Sequence, residues 1–123
     1  MIASLGFTFL GTNIMRFFFK NSEIPVEKIK EGMTRQIMGY ESNLMVVRVC
    51  FEKGVMAEQH QHPHQQIAYI DQGKFEVQID GNKKLLKNGD SFVVPSHILH
   101  GVLCLEKGII IDTFSPRRDD FLQ

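Results

Sequence analysis

From residue 34 onward the chain never sustains a helical hydrophobic period over any useful length. Short apolar runs follow one another instead: LMVVRVCF (44–51), QIAYI (66–70), KFEVQID (74–80), SFVVP (91–95), GVLCLE (101–106) and IIIDTF (109–114). KFEVQID alternates cleanly, with Phe75, Val77 and Ile79 on one face and Lys74, Glu76, Gln78 and Asp80 on the other. LMVVRVCF is β-branched and apolar on both faces. DGN at 80–82 and NGD at 88–90 are turn signals between such runs. Many short strands at close spacing predict an all-β sandwich or barrel. Before them, SEIPVEKIK (22–30) reads as a short helical turn with Ser22 as N-cap and Pro25 near its start.

At 123 residues the chain fits one domain. A domain of that size buries roughly two-thirds of its unfolded surface, enough for a core without disulfides. Fourteen basic residues balance fourteen acidic ones, so no global field draws nucleic acid or anionic lipid, and neither is expected as a partner. Cys50 and Cys104 sit in apolar strand-like runs and form no CxxC pair. They read as buried free thiols in a reducing, cytoplasmic setting. Residues 1–14, MIASLGFTFLGTNI, carry no charged side chain, are too short to span a bilayer and lack the basic start of a secretory signal. They are expected to be an extension to a domain spanning 15–123: an added edge strand, a dimerisation arm, or translation from an upstream start.

The stretch GVMAEQHQHPHQQIAYIDQG (54–73) places three of the chain's five histidines within five positions. On a strand, His60 and His62 point the same way, and two imidazoles on one face can chelate one metal ion. Gln66 shares their parity and reaches the same interior if the strand continues or bends. His100 arrives from a second run, GDSFVVPSHILH. Imidazole nitrogen and amide oxygen suit zinc, nickel, iron or manganese rather than calcium. The competing view is that HQHPH, with its proline, is an exposed loop. His64 reads as a residue behind the ligands or at the rim, with a liganding or substrate-contacting role as its alternative, and His97 reads as a rim residue.

The C-terminal run IIIDTFSPRRDDFL puts Asp112 and Phe114 on one face of a strand, with Arg118 following the Ser115-Pro116 break. A carboxylate for acid–base work, an aromatic wall and a guanidinium for a carboxylate would together make a site for an acidic sugar. Taken singly, a residue such as Phe114 is more often core, and one such as Arg118 in a charged tail is more often solvated.

These residues resemble the cupin family. Gly54, five residues, His60-x-His62, three residues, Gln66, six residues and Gly73 resemble the first cupin motif, with glutamine where most metal-binding cupins carry glutamate. Gly89, Pro95 and His100 are in register with the second motif. His97 replaces its second glycine there, and Cys104 stands at its usual asparagine. The resemblance implies a single-domain double-stranded β-helix (a jelly-roll barrel) with a divalent transition metal held by His60, His62, Gln66 and His100. A glutamine in that shell leaves the charge of the metal uncompensated. That favours an anionic substrate and is a poorer match to the two-histidine, one-carboxylate site of oxygenases.

The segment DTFSPRR, with SNLMVVRVCFEKG and LEKGIIIDTFSP, is similar to the KdgF-type pectin-degradation cupins over about Met15 to Leu122. That similarity implies an enzyme that opens 4,5-unsaturated uronate monosaccharides to linear 4-deoxy-5-keto uronates without redox chemistry. In it Asp112, Phe114 and Arg118 would form the substrate site. Two readings stand beside it: a non-catalytic cupin that binds a sugar acid, and a small metal-dependent oxygenase. A homodimer through exposed edge strands is a further expectation.

Overall fold

The computed structural model of the chain describes residues 8–9, 12–13 and 16–123. Two short strands, β1 (Thr8–Phe9) and β2 (Thr12–Asn13), pair antiparallel with each other in a two-stranded sheet of their own among the described residues. The rest of the extension expected over 1–14 lies outside the described residues. Eight further strands follow: β3 (Glu27–Lys30), β4 (Met33–Glu41), β5 (Leu44–Phe51), β6 (Met56–His60), β7 (Gln65–Ile79), β8 (Asn82–Lys87), β9 (Ser91–Val94) and β10 (His100–Ser115). Among the described residues no helix is long and apolar enough to cross a membrane.

The architecture follows from the two long strands. β7 and β10 pair antiparallel along almost their whole length, from Gln65 opposite Ser115 to Ile79 opposite His100. Their two halves have different outer neighbours. Residues 66–69 of β7 pair with β9 and residues 74–79 with β8; residues 108–114 of β10 pair with β5 and its start with β6. The chain therefore builds two sheets that share β7 and β10, one ordered β9-β7-β10-β5-β4-β3 and one β8-β7-β10-β6.

The passage between sheets falls at Gly73 and Gly108, where the ladder register slips. Gly73 has φ 92°, and a Cβ there would lie 2.6 Å from the Gly108 Cα, so the two backbones can cross this closely only without side chains. The inner faces meet in one core containing Met45, Val47, Ile70, Phe92, Val94 and Phe114 from the first sheet and Phe75, Val77 and Cys104 near and beyond the bend. Burying each of the larger side chains contributes about 1.5–3 kcal/mol. This is the all-β, single-domain jelly-roll barrel expected from the sequence.

Three local expectations are corrected. QIAYI and KFEVQID are not separate strands but one, β7, because Gly73 bends the strand without ending it. The helical turn over 22–30 does not form. Asn21–Glu23 make one 3₁₀ turn with Lys20, not Ser22, at the cap position, and Glu27–Lys30 pair with β4 instead. Pro25 blocks propagation, and Gly32 (φ 80°) closes the hairpin that draws residues 27–30 into the sheet. Both cysteines are free thiols, but only Cys104 is buried; Cys50 shares the outward parity of Val46 and Arg48 and is partly exposed. The DGN signal does mark a tight hairpin: Asp80 and Gly81 both have positive φ, 51° and 83°, and join β7 to β8.

Candidate functional site

His60 is the last residue of β6 and His100 the first of β10, and the two stand directly opposite in the ladder. Gly101 permits this approach. A Cβ there would lie 2.8 Å from the Ala57 carbonyl and 3.0 Å from the Gln59 nitrogen. His62 is not on the strand with His60, as alternation suggested, but just past its end. Its Nδ1 bonds the His64 carbonyl at 3.0 Å, which turns the ring back to the same place. Ring centroids lie 4.4 Å apart for His60–His100 and 4.8 Å for His62–His100, and the three potential ligand atoms lie within 4.8 Å of one another.

The protonation of these rings follows from their partners. His60 Nδ1 faces the Glu58 carbonyl at 2.9 Å and His100 Nδ1 the Ile98 carbonyl at 2.8 Å, as His62 Nδ1 faces that of His64. A carbonyl only accepts, so each Nδ1 carries the hydrogen and each neutral ring keeps a lone pair on Nε2. Burial, before all else, holds His100 down at about 4 and lowers His62 as well. At neutral pH these two rings are therefore unprotonated, as ligands must be.

Two features of the polar atoms fit a metal ion. His100 Nε2 is buried and has no hydrogen-bond partner among the described residues. His62 Nε2 lies 3.1 Å from Gln66 Oε1, while the amide nitrogen of Gln66 donates to Asp112 Oδ1 at 2.9 Å. With the amide hydrogens directed at Asp112, a lone pair on Oε1 faces a lone pair on Nε2. Two such acceptors rest side by side when they share a cation, and this is the ordinary separation of neighbouring ligand atoms on one transition ion. The donor set, three imidazoles and an amide oxygen, fits a divalent transition metal.

Beside this cluster lies a cavity of about 340 Å³ whose walls include His60, Gln66, His100, Asp112, Phe114 and Arg118. The seventh residue singled out in the sequence, His62, is buried behind them with its ring 5.8 Å from Phe114. Asp112 faces inward on β10 with Val47 and Ala68 as its cross-strand neighbours. Burial in that apolar setting pushes its carboxyl up to about 7, against the pull of the Gln66 hydrogen bond and of Arg118. Phe114 is both core and cavity wall, only 4% exposed. Arg118 is no solvated tail residue. Its Nε and Nη2 donate to the two Asp120 carboxylate oxygens at 3.1 and 2.9 Å, and its guanidinium lies over Phe121 at 4.2 Å and Phe114 at 5.0 Å. Asp120 is held below the usual carboxylate range chiefly by that pair.

His64 stands outside the cluster, half-buried with its ring centroid 6.4 Å from that of Phe114. His97 is exposed and takes the left-handed conformation, φ 65°, that the cupin motif fills with glycine. Its N–H donates to the His62 carbonyl at 2.7 Å, so it braces the loop with its backbone. The sequence reading missed Arg35 and Phe121, which also line the cavity. Arg35 lies in TRQIMGY, which has no sharp alternation. Phe121 offered one signal, a lone aromatic inside the charged tail RRDDFL.

Comparison with known proteins agrees with this geometry. Residues 47–110 match the cupin domain family. The pectin degradation protein KdgF of Dickeya dadantii is 46% identical over 110 residues, which cover 88% of this chain and all of that protein. Among solved structures, KdgF from Halomonas sp. superposes with a TM-score of 0.82 at 43% identity, over 87% of this chain and 99% of its own. An RmlC-like cupin from Shewanella frigidimarina gives 0.84 at 43% identity, over 87% and 96%. Barrel, histidine cluster and relatives agree, and the chain belongs to the cupin family, within its KdgF-type group.

Proposed function

We propose that this protein acts in pectin degradation by opening the ring of 4,5-unsaturated uronate monosaccharides to give linear 4-deoxy-5-keto uronates. His60, His62, His100 and Gln66 would hold one divalent transition metal: zinc, nickel, iron or manganese. When bound, that ion supplies Lewis-acid stabilisation of negative charge on the substrate's oxygens. Sequence identity to the pectin degradation protein KdgF supports a pectin-derived substrate. The observation that carries the chemistry is the hydrogen bond from Gln66 to Asp112, which ties the ligand cluster to a carboxyl poised near neutrality.

The chain's own residues divide the work. Arg118, pinned by Asp120, offers its remaining nitrogen to the C6 carboxylate, and Phe114 packs against the sugar ring. Asp112, ionised, takes the proton of the C1 hydroxyl. The C1–O5 bond breaks as C1 becomes an aldehyde, and the electron pair passes to O5 as an enolate. Protonated Asp112 then delivers the same proton to C4 and O5 becomes the ketone, so the step is an isomerisation with no net proton or electron. A carboxyl near 7 is matched to accepting and returning one proton at neutral pH. The cavity has room for one monosaccharide. Two free thiols and a monosaccharide substrate go with a cytoplasmic setting.

The test follows the ultraviolet absorbance of 4,5-unsaturated galacturonate with metal-loaded protein, with chelated protein, and alone. Faster loss of the conjugated double bond with metal only is the expected result. No acceleration with any of the four metals would refute the reading.

A further inference from the structure

Arg35 occupies a position where a barrel expects an apolar residue. On β4 it stands opposite Val49, which stands opposite Ile110, which stands opposite Ile70. Those three are buried core residues, so Arg35 is the charged member of an inward-facing row. Its side chain is only 20% exposed, and it lines the cavity with Asp112 and Arg118. Desolvating a guanidinium is costly without compensation.

The compensation visible in the fold is partial. Arg35 Nε donates to Glu27 Oε1 at 3.0 Å, and the guanidinium lies over Phe121 at 3.9 Å. Its two terminal nitrogens donate to no described residue. Arg118 presents a similar pattern: Asp120 takes Nε and Nη2, and the one remaining nitrogen donates to no described residue. Both guanidiniums lie over the ring of Phe121, so they can be no farther apart than the sum of those two short distances. A carboxylate can bridge such a span with charge-assisted hydrogen bonds to both.

We infer that Arg35 is a substrate-binding residue that sets the cavity's preference for acidic sugars, presenting its terminal nitrogens beside Arg118 to the substrate carboxylate. Phe121 and Glu27 are positioning residues for it: the ring lies against the guanidinium and the carboxylate takes Nε, which leaves the two terminal nitrogens free for a ligand in the cavity that Arg35 lines. The inference deepens the uronate reading and rests on it for the substrate class, but its test does not depend on turnover.

The experiment measures the affinity of metal-loaded protein for galacturonate, a saturated acid that does not react, and for its neutral methyl ester. Wild type, Arg35→Met and Arg35→Lys are compared by calorimetry. Arg35→Met should weaken galacturonate binding about tenfold, in line with the loss of charge-assisted hydrogen bonds, and leave the ester nearly unchanged. Arg35→Lys, which keeps charge but not the fork, should fall between them and serves if the methionine variant fails to fold. With the unsaturated substrate, KM should rise by a similar factor while kcat stays within about threefold. Equal galacturonate affinity in wild type and variants, no binding by any of them, or a loss confined to kcat would overturn the inference. Arg35-dependent galacturonate binding without turnover would instead refute the ring-opening activity and leave the inference standing.

Discussion

The amide nitrogen of Gln66 donates to Asp112 Oδ1 at 2.9 Å across the β7–β10 ladder. Gln66 stands opposite Phe114 and Asp112 opposite Ala68, so the two are diagonal neighbours on the inner face. With Asp112 ionised the contact needs an amide: a carboxylate at 66 would have no hydrogen to give and would set two like charges side by side. Gln66→Glu should therefore hold a divalent metal more tightly against a competing chelator while turnover falls about 10–100-fold. Metal content and kcat measured on one preparation check both halves, and undiminished turnover would contradict the coupling.

The proposed role of Asp112 can be tested apart from that of the metal ligands. Asp112→Asn preserves volume but removes the carboxyl proposed to accept and return the proton. Turnover should drop by about 100-fold or more with the metal content unchanged. Loss of bound metal in this variant would mean that Asp112 serves the shell, not the substrate.

The metal-free protein should show opposed pH dependences in its stability. Asp112 is pushed from 3.8 up to about 7, so its contribution is full below 3.8 and is lost as pH rises through about 7. His100 is held down from 6.5 to about 4, so its contribution is full above 6.5 and is lost as pH falls towards about 4. Between these limits the slopes oppose one another. Removing the first with Asp112→Asn should leave stability rising with pH from 4 to 6.5 more steeply than in wild type. Urea midpoints across that range measure it, and parallel curves for the two proteins would contradict the assignment.

His97 costs the fold something that a glycine would not. At φ 65° a side chain with a Cβ is strained by about 1–2 kcal/mol, offset in part by the greater chain entropy that glycine loses on folding. His97→Gly should raise Tm by a few degrees without changing metal affinity. An unchanged or lower Tm would show that the exposed imidazole contributes more than its backbone geometry costs.

Much of this site was legible because motif spacing survives folding even where its first geometric explanation does not. His60 and His62 do converge, yet not through alternation on one strand, since β6 ends at His60. What aims the rings of His60, His62 and His100 is a set of hydrogen bonds from each Nδ1 to the carbonyls of Glu58, His64 and Ile98 respectively, and backbone acceptors leave no trace in side-chain pattern. The continuity of β7 through Gly73 was hidden for a related reason: a glycine marks a bend and a break alike. Arg35 and Phe121 were illegible as a pair. Eighty-six positions separate them, and only the return of the chain after β10 stacks one on the other.

Gly101 offers the sharpest test of how the fold sets the metal site. It sits beside His100, where β10 and β6 pass so closely that a Cβ would meet the Ala57 carbonyl at 2.8 Å. The obstacle is backbone, so no side chain can swing aside; β6 itself must move, and β6 ends in His60. Gly101→Ala should cost about 1–3 kcal/mol of stability through overpacking. It should also weaken metal binding at least tenfold, because the His60–His100 pairing is disturbed while all ligands remain. A zinc titration by calorimetry, beside urea unfolding of the metal-free protein, separates the two effects. Lowered stability with undiminished zinc affinity would show that the histidines re-form their cluster independently of the β6–β10 register.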